Sequence, residues 1–301
     1  MELSIYNLMY IDPCEKRYLS GKSYSDKERI DLYVKGSCVL DRSLKINGLE
    51  GVCILTNNKE ELLNSLERIG YKEITVIEIP FTLNVPKGIR FYSAHFKIDV
   101  FQYFSTLPTN QYSILLDSDV VCLRDFNKEF YSIVEEGIPT VYYLDNYGGD
   151  NKIEDINRIT SDIKWLPWAG GEYIGGVSSF YSALYSEIMT IKEDYWRVIN
   201  GGLFHIGDEM LTSIALSKLR RLGISPVDVK YLGIIHRYWS VTESKHFLKY
   251  NSNLIHLPGD KVFESKVDLS ASTINELFSG YSFFHLKNRI KQIIKEMLGR
   301  K

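Results

Sequence analysis

Apolar positions along the chain change period repeatedly, and the changes mark out elements. Residues 3–9 form a first short apolar run and read as a strand. Over 26–46 the period is helical, with Ile30, Tyr33, Val34, Cys38 and Leu44 on one face. A second buried strand is predicted at 51–56, a helix at 59–69 with Asn57 or Asn58 as its cap, and a third strand at 73–79. The order β, α, β, α, β argues for an α/β fold with a mostly parallel sheet and flanking helices. A helix follows at 91–104, with Phe96, Val100, Phe101 and Phe104 clustered. Next come an apolar strand at 113–116 and a second apolar run at 120–123. A helix at 127–135 leads to a strand at 140–144.

The second half is less regular. Residues 145–164 are polar, contain Gly148 and Gly149, and predict a loop with a short helix. Residues 165–181 are rich in aromatic residues and glycine. They fit either a backbone that approaches a ligand closely or a bulged strand. Helices are predicted at 185–199 and from Asp208 to about 216, and late strands at 225–231 and 254–256.

The chemistry centres on Asp117-Ser118-Asp119, between the two apolar runs. If 113–116 is a central parallel strand, both carboxylates stand at its carboxyl end, where open α/β sheets bind ligands. Two anionic groups buried this close need a counter-charge, and oxygen ligands suit Mg²⁺ or Mn²⁺. The plain alternative is a solvated turn. Tyr10 and Asp12, just past the first strand, would face the same crevice. Asp208 and Glu209 open a helix, where acidic residues suit the dipole whatever else they do. His256, after a short strand and followed by Gly259 and Lys261, can supply a metal ligand, a close backbone approach and a positive charge for a phosphate.

Composition narrows the class. The chain has 301 residues, 45% hydrophobic and 25% charged, with a net charge of −2. That suits a globular protein with a full core and gives no reason to expect nucleic acid. The first ten residues are too short to read as a signal segment, and no apolar run is long enough to span a membrane. Cys14, Cys38, Cys53 and Cys122 lack metal-type spacing, so a reducing, cytoplasmic setting is expected.

With Asp117-Ser-Asp119 and His256-Leu-Pro-Gly-Asp-Lys261 both in view, the chain resembles GT-A-fold glycosyltransferases. It looks most like family 8, which includes glycogenin and bacterial lipopolysaccharide galactosyltransferases. Lys97 in Phe96-Lys-Ile-Asp99 matches the family's basic residue before the Asp-x-Asp strand. Tyr173-Ile-Gly-Gly-Val177 looks like its Phe-Asn-Ser-Gly-Val segment, with Ile174-Gly175 in place of Asn-Ser. Gly207-Asp-Glu209 matches its acidic helix start. The resemblance covers about 1–263.

It implies a GT-A domain over 1–265 and a C-terminal helical tail over 266–301. It also implies a uridine-diphosphate-sugar donor and a saccharide or lipid-linked saccharide acceptor, as in bacterial surface polysaccharide synthesis. Asp117, Asp119 and His256 would hold Mn²⁺ or Mg²⁺. Tyr10, Asp12, Arg90, Lys97, Gly175, Gly176, Gly259 and Lys261 would contact the donor. Asp208 and Glu209 would face the acceptor, and the family's course is retaining.

The tail, 283–301, repeats Phe283, Leu286, Ile290, Ile293, Ile294, Met297 and Leu298 at helical steps. Six basic side chains against one acidic leave it at +5. Such a helix can lie peripherally on an anionic membrane, dock on its own domain or join a second subunit. Two other functional classes stand beside this reading. Asp117 with Asp119 also fits the nucleophile motif of haloacid-dehalogenase-type phosphatases, although three α/β units precede it and Val121 replaces the usual threonine. A non-catalytic sugar-binding protein on the same fold is the other.

Overall fold

The computed structural model describes all residues except 13–17, 20, 21, 24, 146, 147, 162, 164–166, 200, 241, 244 and 298–301. Cys14, Trp165, Leu298, Arg300 and Lys301 therefore lie outside the described residues. The chain runs β1 (Glu2–Met9), a small antiparallel pair β2 (Tyr18–Leu19) and β3 (Lys22–Ser23), α1 (Asp26–Ile46), β4 (Val52–Thr56), α2 (Lys59–Ile69) and β5 (Thr75–Glu78). A 3₁₀ turn, Tyr92–Phe96, runs into α3 (Lys97–Phe104), where the sequence predicted one continuous helix. Then come β6 (Gln111–Leu116), β7 (Val120–Cys122), α4 (Lys128–Glu135), β8 (Thr140–Leu144), α5 (Gly149–Ile159), β9 (Trp168–Val177), α6 (Ser178–Ile199) and α7 (Asp208–Arg221). The chain closes with β10 (Val227–Asp228), β11 (Ile235–Arg237), β12 (Leu254–His256), α8 (Lys261–Glu264), α9 (Ile274–Leu277) and α10 (Tyr281–Met297).

Local chemistry sets several of these ends. Ser25 and Glu28 form a capping box at the start of α1. Asn58 accepts from the Glu61 amide at 3.0 Å, and Asn127 accepts from the Phe130 amide at 2.8 Å. The predicted strand at 225–231 shrinks to the two residues of β10. The Lys230–Gly233 turn that follows diverts the chain to β11, which the sequence did not predict.

Seven strands form the main sheet in the order β10-β8-β9-β6-β1-β4-β5. β9 is antiparallel to both β6 and β8, while the other pairs are parallel. Because β9 runs backwards, its first residues stand at the sheet's carboxyl edge, beside the end of β6. A second sheet, β11-β12-β7, pairs His256 with Val120 and Arg237 with His256. This small sheet carries two late segments back to the Asp117–Asp119 turn.

Core residues line both faces of the main sheet. Ile98, Phe101, Tyr181 and Met210 cover one face, and Val34, Leu40, Leu62 and Phe130 cover the other. Residues past the small sheet build a third cluster. Val267, Leu277, Phe278 and Tyr281 pack with Val121, Ile255 and Phe247. Gly36 of α1 is needed for close approach, since a Cβ there would lie 2.6 Å from the Ser118 carbonyl oxygen. Cys38 and Cys122 are buried thiols and Cys53 is half-buried, all three unpaired. No helix among the described residues is long and apolar enough to cross a membrane.

Candidate active site

The strand before Asp117 is apolar because both its faces are covered, and its end carries the two carboxylates, Asp117 half-buried and Asp119 buried. The Asp117 amide donates to Glu172 O at 3.3 Å, and Val120 N donates to Asp117 O at 3.2 Å, closing the turn. Asp119 is buried. The Leu257 amide donates to its carbonyl at 2.8 Å, which draws the β12 end against it. His256 Nε2 then lies 3.2 Å from Asp119 Oδ1. Ligand atoms of Asp117, Asp119 and His256 all fall within 4.8 Å of one another.

Cations already sit among these carboxylates. Lys261 Nζ is ion-paired with Asp119 Oδ2. Lys97 Nζ is 2.8 Å from Asp117 Oδ1 and 3.4 Å from Asp208 Oδ2, and it donates to Gly171 O at 2.7 Å. Burial alone would favour the neutral form of each partner, but the ion pairs outweigh it. Asp119 is held well below the usual carboxylate range by Lys261 and His256. Both lysines are held above the usual lysine value. Burial would likewise lower His256, yet Asp119 and Glu172 raise it to about 10. Asp208 goes the other way. Burial dominates, and Glu209 and Asp117 add repulsion that Lys97 only partly offsets, so its carboxyl is pushed up to about 6.

Several contributors were not legible in the sequence. Glu172, fully buried on β9, faces His256 Nδ1 at 3.3 Å. It also takes a two-point contact from Arg237, with Nε to Oε1 and Nη2 to Oε2 each at 2.6 Å. Arg237 Nη2 lies 3.5 Å from Glu209 Oε1. Glu209 accepts from Gly171 N at 3.0 Å and from Trp168 Nε1 at 2.7 Å, with His205 Nε2 3.5 Å away. Glu264 is buried beside this group, and its Oε1 has no hydrogen-bond partner. Burial, then repulsion from Asp119, raises its carboxyl well above the usual range. A lone carboxylate inside the apolar β9 run was the signal available for Glu172. Arg237, in a three-residue strand, offered none.

Asp117, Asp119, His256, Lys261, Lys97, Asp208 and Glu209 thus converge. Two carboxylate oxygens with one imidazole nitrogen suit a divalent cation of the Mn²⁺ or Mg²⁺ type. Gly259 is open to space, with Trp239 as its nearest neighbour at 3.9 Å from an added Cβ. Tyr10 and Asp12 lie past β1 on the same edge. Tyr10 stacks on Phe96 at 3.7 Å, and the Asp12 carbonyl accepts from Arg29. Arg90 is exposed over the Phe91 ring. Arg90 approaches the cluster through Phe91, which stacks on His205 at 6.2 Å. Gly175 and Gly176 are not at the site. They pair with Ile114 and Ser113, well back along β6. The glycines that face the cluster are Gly170 and Gly171. A Cβ on Gly171 would lie 3.0 Å from Lys97 Nζ and 3.3 Å from Asp208 Oδ2. The two Gly-Gly pairs, Gly170-Gly171 and Gly175-Gly176, stand at opposite halves of β9, a register that sequence spacing does not reveal.

Solved structures share this architecture. The galactosyltransferase LgtC, in complex with donor and acceptor sugar analogues, matches 92% of this chain and 99% of its own, with a TM-score of 0.54 and 11% identity. The fold is GT-A. A structure of an active-site mutant of LgtC matches 85% of this chain and 87% of its own, with a TM-score of 0.51 and 12% identity. No protein-family model and no curated sequence matches the chain. In this GT-A fold the Asp-x-Asp turn follows β6, the fourth main-sheet strand in chain order, rather than the first strand that the phosphatase reading requires.

Proposed function

We propose that this chain is a glycosyltransferase that moves a hexose from a uridine-diphosphate-sugar donor to a saccharide or lipid-linked saccharide acceptor, as in bacterial surface polysaccharide synthesis. The observation that carries the reading is the meeting of Asp117, Asp119 and His256 at the carboxyl edge of a GT-A sheet, with Lys97 and Lys261 alongside. Asp117, Asp119 and His256 would hold Mn²⁺ or Mg²⁺. When bound, the ion supplies a Lewis acid for the donor's phosphates. Lys261 and Lys97 would neutralise phosphate charge as the nucleotide leaves. Gly259 would let the backbone come close to the diphosphate. Tyr10 and Asp12 would border the nucleotide, and Arg90 the outer rim.

Asp208 and Glu209 would lie on the sugar side. Asp208 is paired with Lys97, and both oxygens of Glu209 are engaged by Gly171, Trp168 and Arg237. Neither stands free as a strong base for an acceptor hydroxyl, which favours a retaining course. On α10, Phe283, Leu286, Ile290, Ile293 and Ile294 are exposed on a helix that also carries Lys287, Arg289 and Lys291. That composition suits peripheral contact with an anionic lipid surface on the cytoplasmic side. The GT-A domain would span 1–265, with 266–301 as a C-terminal helical tail whose first part, to Tyr281, packs against it.

A thermal-shift screen of nucleotides with and without Mn²⁺ tests the core of this reading. A uridine diphosphate should raise the melting temperature only with the metal, and Asp119→Ala should lose the shift. Equal shifts in the two proteins would reject the cation role. Release of inorganic phosphate from phosphate esters, without turnover of sugar nucleotides, would favour the phosphatase instead. Binding of sugars without turnover of either substrate would favour the non-catalytic reading.

A further inference from the structure

We propose that Glu172 is a positioning residue: it aims His256 at the cation and ties that aim, through Arg237, to Glu209. This rests on the reading of Asp117, Asp119 and His256 as the cation site.

His256 has two ring nitrogens, and each faces a carboxylate. Nε2 points to Asp119 Oδ1 at 3.2 Å, and Nδ1 points to Glu172 Oε1 at 3.3 Å. A carboxylate on one nitrogen keeps the hydrogen there and leaves the other nitrogen's lone pair for a metal. It also fixes the plane of the ring. Glu172 is suited to this because it cannot turn away. Its two oxygens are gripped by Arg237 at 2.6 Å each, and its own backbone carbonyl receives the Asp117 amide. Gly170 clears the space it needs, since a Cβ there would overlap Glu172 Oε2.

The four residues come from four elements: β12, β9, β11 and α7. Nothing local requires a buried carboxylate on β9, and a buried pair of this kind is often no more stable than apolar side chains of similar volume. Its geometry instead serves both His256 and Glu209. One oxygen aims the imidazole, and the guanidinium it holds lies 3.5 Å from Glu209 Oε1. A change at the cation side is therefore mechanically connected to the carboxylate on the sugar side.

The test is calorimetric titration of Mn²⁺ into the full chain and into Glu172→Gln, with Co²⁺ absorption spectra as a second readout of the ligand geometry. Glu172→Gln should weaken Mn²⁺ binding about 10- to 100-fold and alter the Co²⁺ spectrum at equal occupancy. If that variant does not fold, Gly170→Ala, which displaces the same carboxylate, should weaken binding in the same direction. A folded variant with wild-type affinity and an unchanged spectrum would overturn the positioning role. A wild-type chain that binds neither ion would overturn the cation site itself, and with it this inference.

Discussion

Lys97 and Asp208, one opening α3 and the other opening α7, meet inside the protein with Nζ 3.4 Å from Oδ2. The same ammonium is 2.8 Å from Asp117 Oδ1. One buried cation therefore holds together the two acidic groups that flank the start of β9. Removing it should leave Asp208 buried without a counter-charge. Lys97→Met is expected to lose about 3 kcal/mol of stability in urea unfolding, the usual cost of breaking a buried pair. Adding Asp208→Asn should recover part of the loss. Full stability in the single variant would contradict the pairing.

Lys261 and a divalent ion compete for Asp119 Oδ2, because the ammonium already rests there. Lys261→Met should bind Mn²⁺ alone about tenfold more tightly, a gain of roughly 1.4 kcal/mol. The same variant should bind uridine diphosphate more weakly in the presence of saturating Mn²⁺, since a phosphate partner is gone. Calorimetry with each ligand separately would read the two opposite changes. Changes in the same direction would reject the competition.

Asp208 gives a pH signature. Burial, more than any neighbour, pushes its carboxyl up to about 6, whereas the unfolded chain keeps the ordinary value of 3.8. Ionising it therefore costs the native state. The cost is full above pH 6, shrinks as the pH falls and is gone below 3.8. Wild type should gain stability relative to Asp208→Asn as the pH drops through this window. If ionised Asp208 serves the transfer, its rate should fall below pH 6 over the same range, a limb that Asp208→Asn should lack. Parallel melting curves for the two proteins from pH 7 to pH 4 would show that the group does not titrate there.

Truncation should divide α10 into two parts. Tyr281 is buried and bonded to Asp260, and His285 Nδ1 is 3.1 Å from the Tyr238 hydroxyl. Ending the chain after Asn288 keeps those contacts and removes Ile290, Ile293 and Ile294. Binding to vesicles of anionic lipid should be lost while the melting temperature changes little. Ending it after Gly280 removes Tyr281 as well, and loss of a buried aromatic side chain should cost about 3–5 kcal/mol. Retained vesicle flotation by the first truncation would place the lipid contact elsewhere.

Most of the sheet was legible because its strands are covered on both faces and so read as unbroken apolar runs. Helix α1 was legible to its end residues from its apolar period, and α2 from its period together with its asparagine cap. The Asp117–Asp119 turn and His256 could be singled out because charged residues at the ends of apolar runs are conspicuous. What escaped depends on pairing between distant strands. The direction of β9 decides that Gly170, Gly171 and Glu172 lie at the Asp117 end of β6 while Gly175 and Gly176 do not, and spacing carries no sign of direction. β11 is three residues long, too short to show a period, so Arg237 had no context. Glu264 and Asp260 acquire meaning only from what folds over them.

The hydroxyl of Tyr281 bonded to the Asp260 carboxylate fixes the root of α10 to the loop between His256 and Lys261. From that root to Ile294 the helix rises roughly 20 Å at ~1.5 Å per residue. If its exposed apolar side, from Phe283 to Ile294, rests on a lipid surface, the site is held at a fixed height and tilt above it. The height of the acceptor's reactive hydroxyl above the bilayer would then be gauged by the helix, so that saccharides of one length come within reach and shorter ones fall below it.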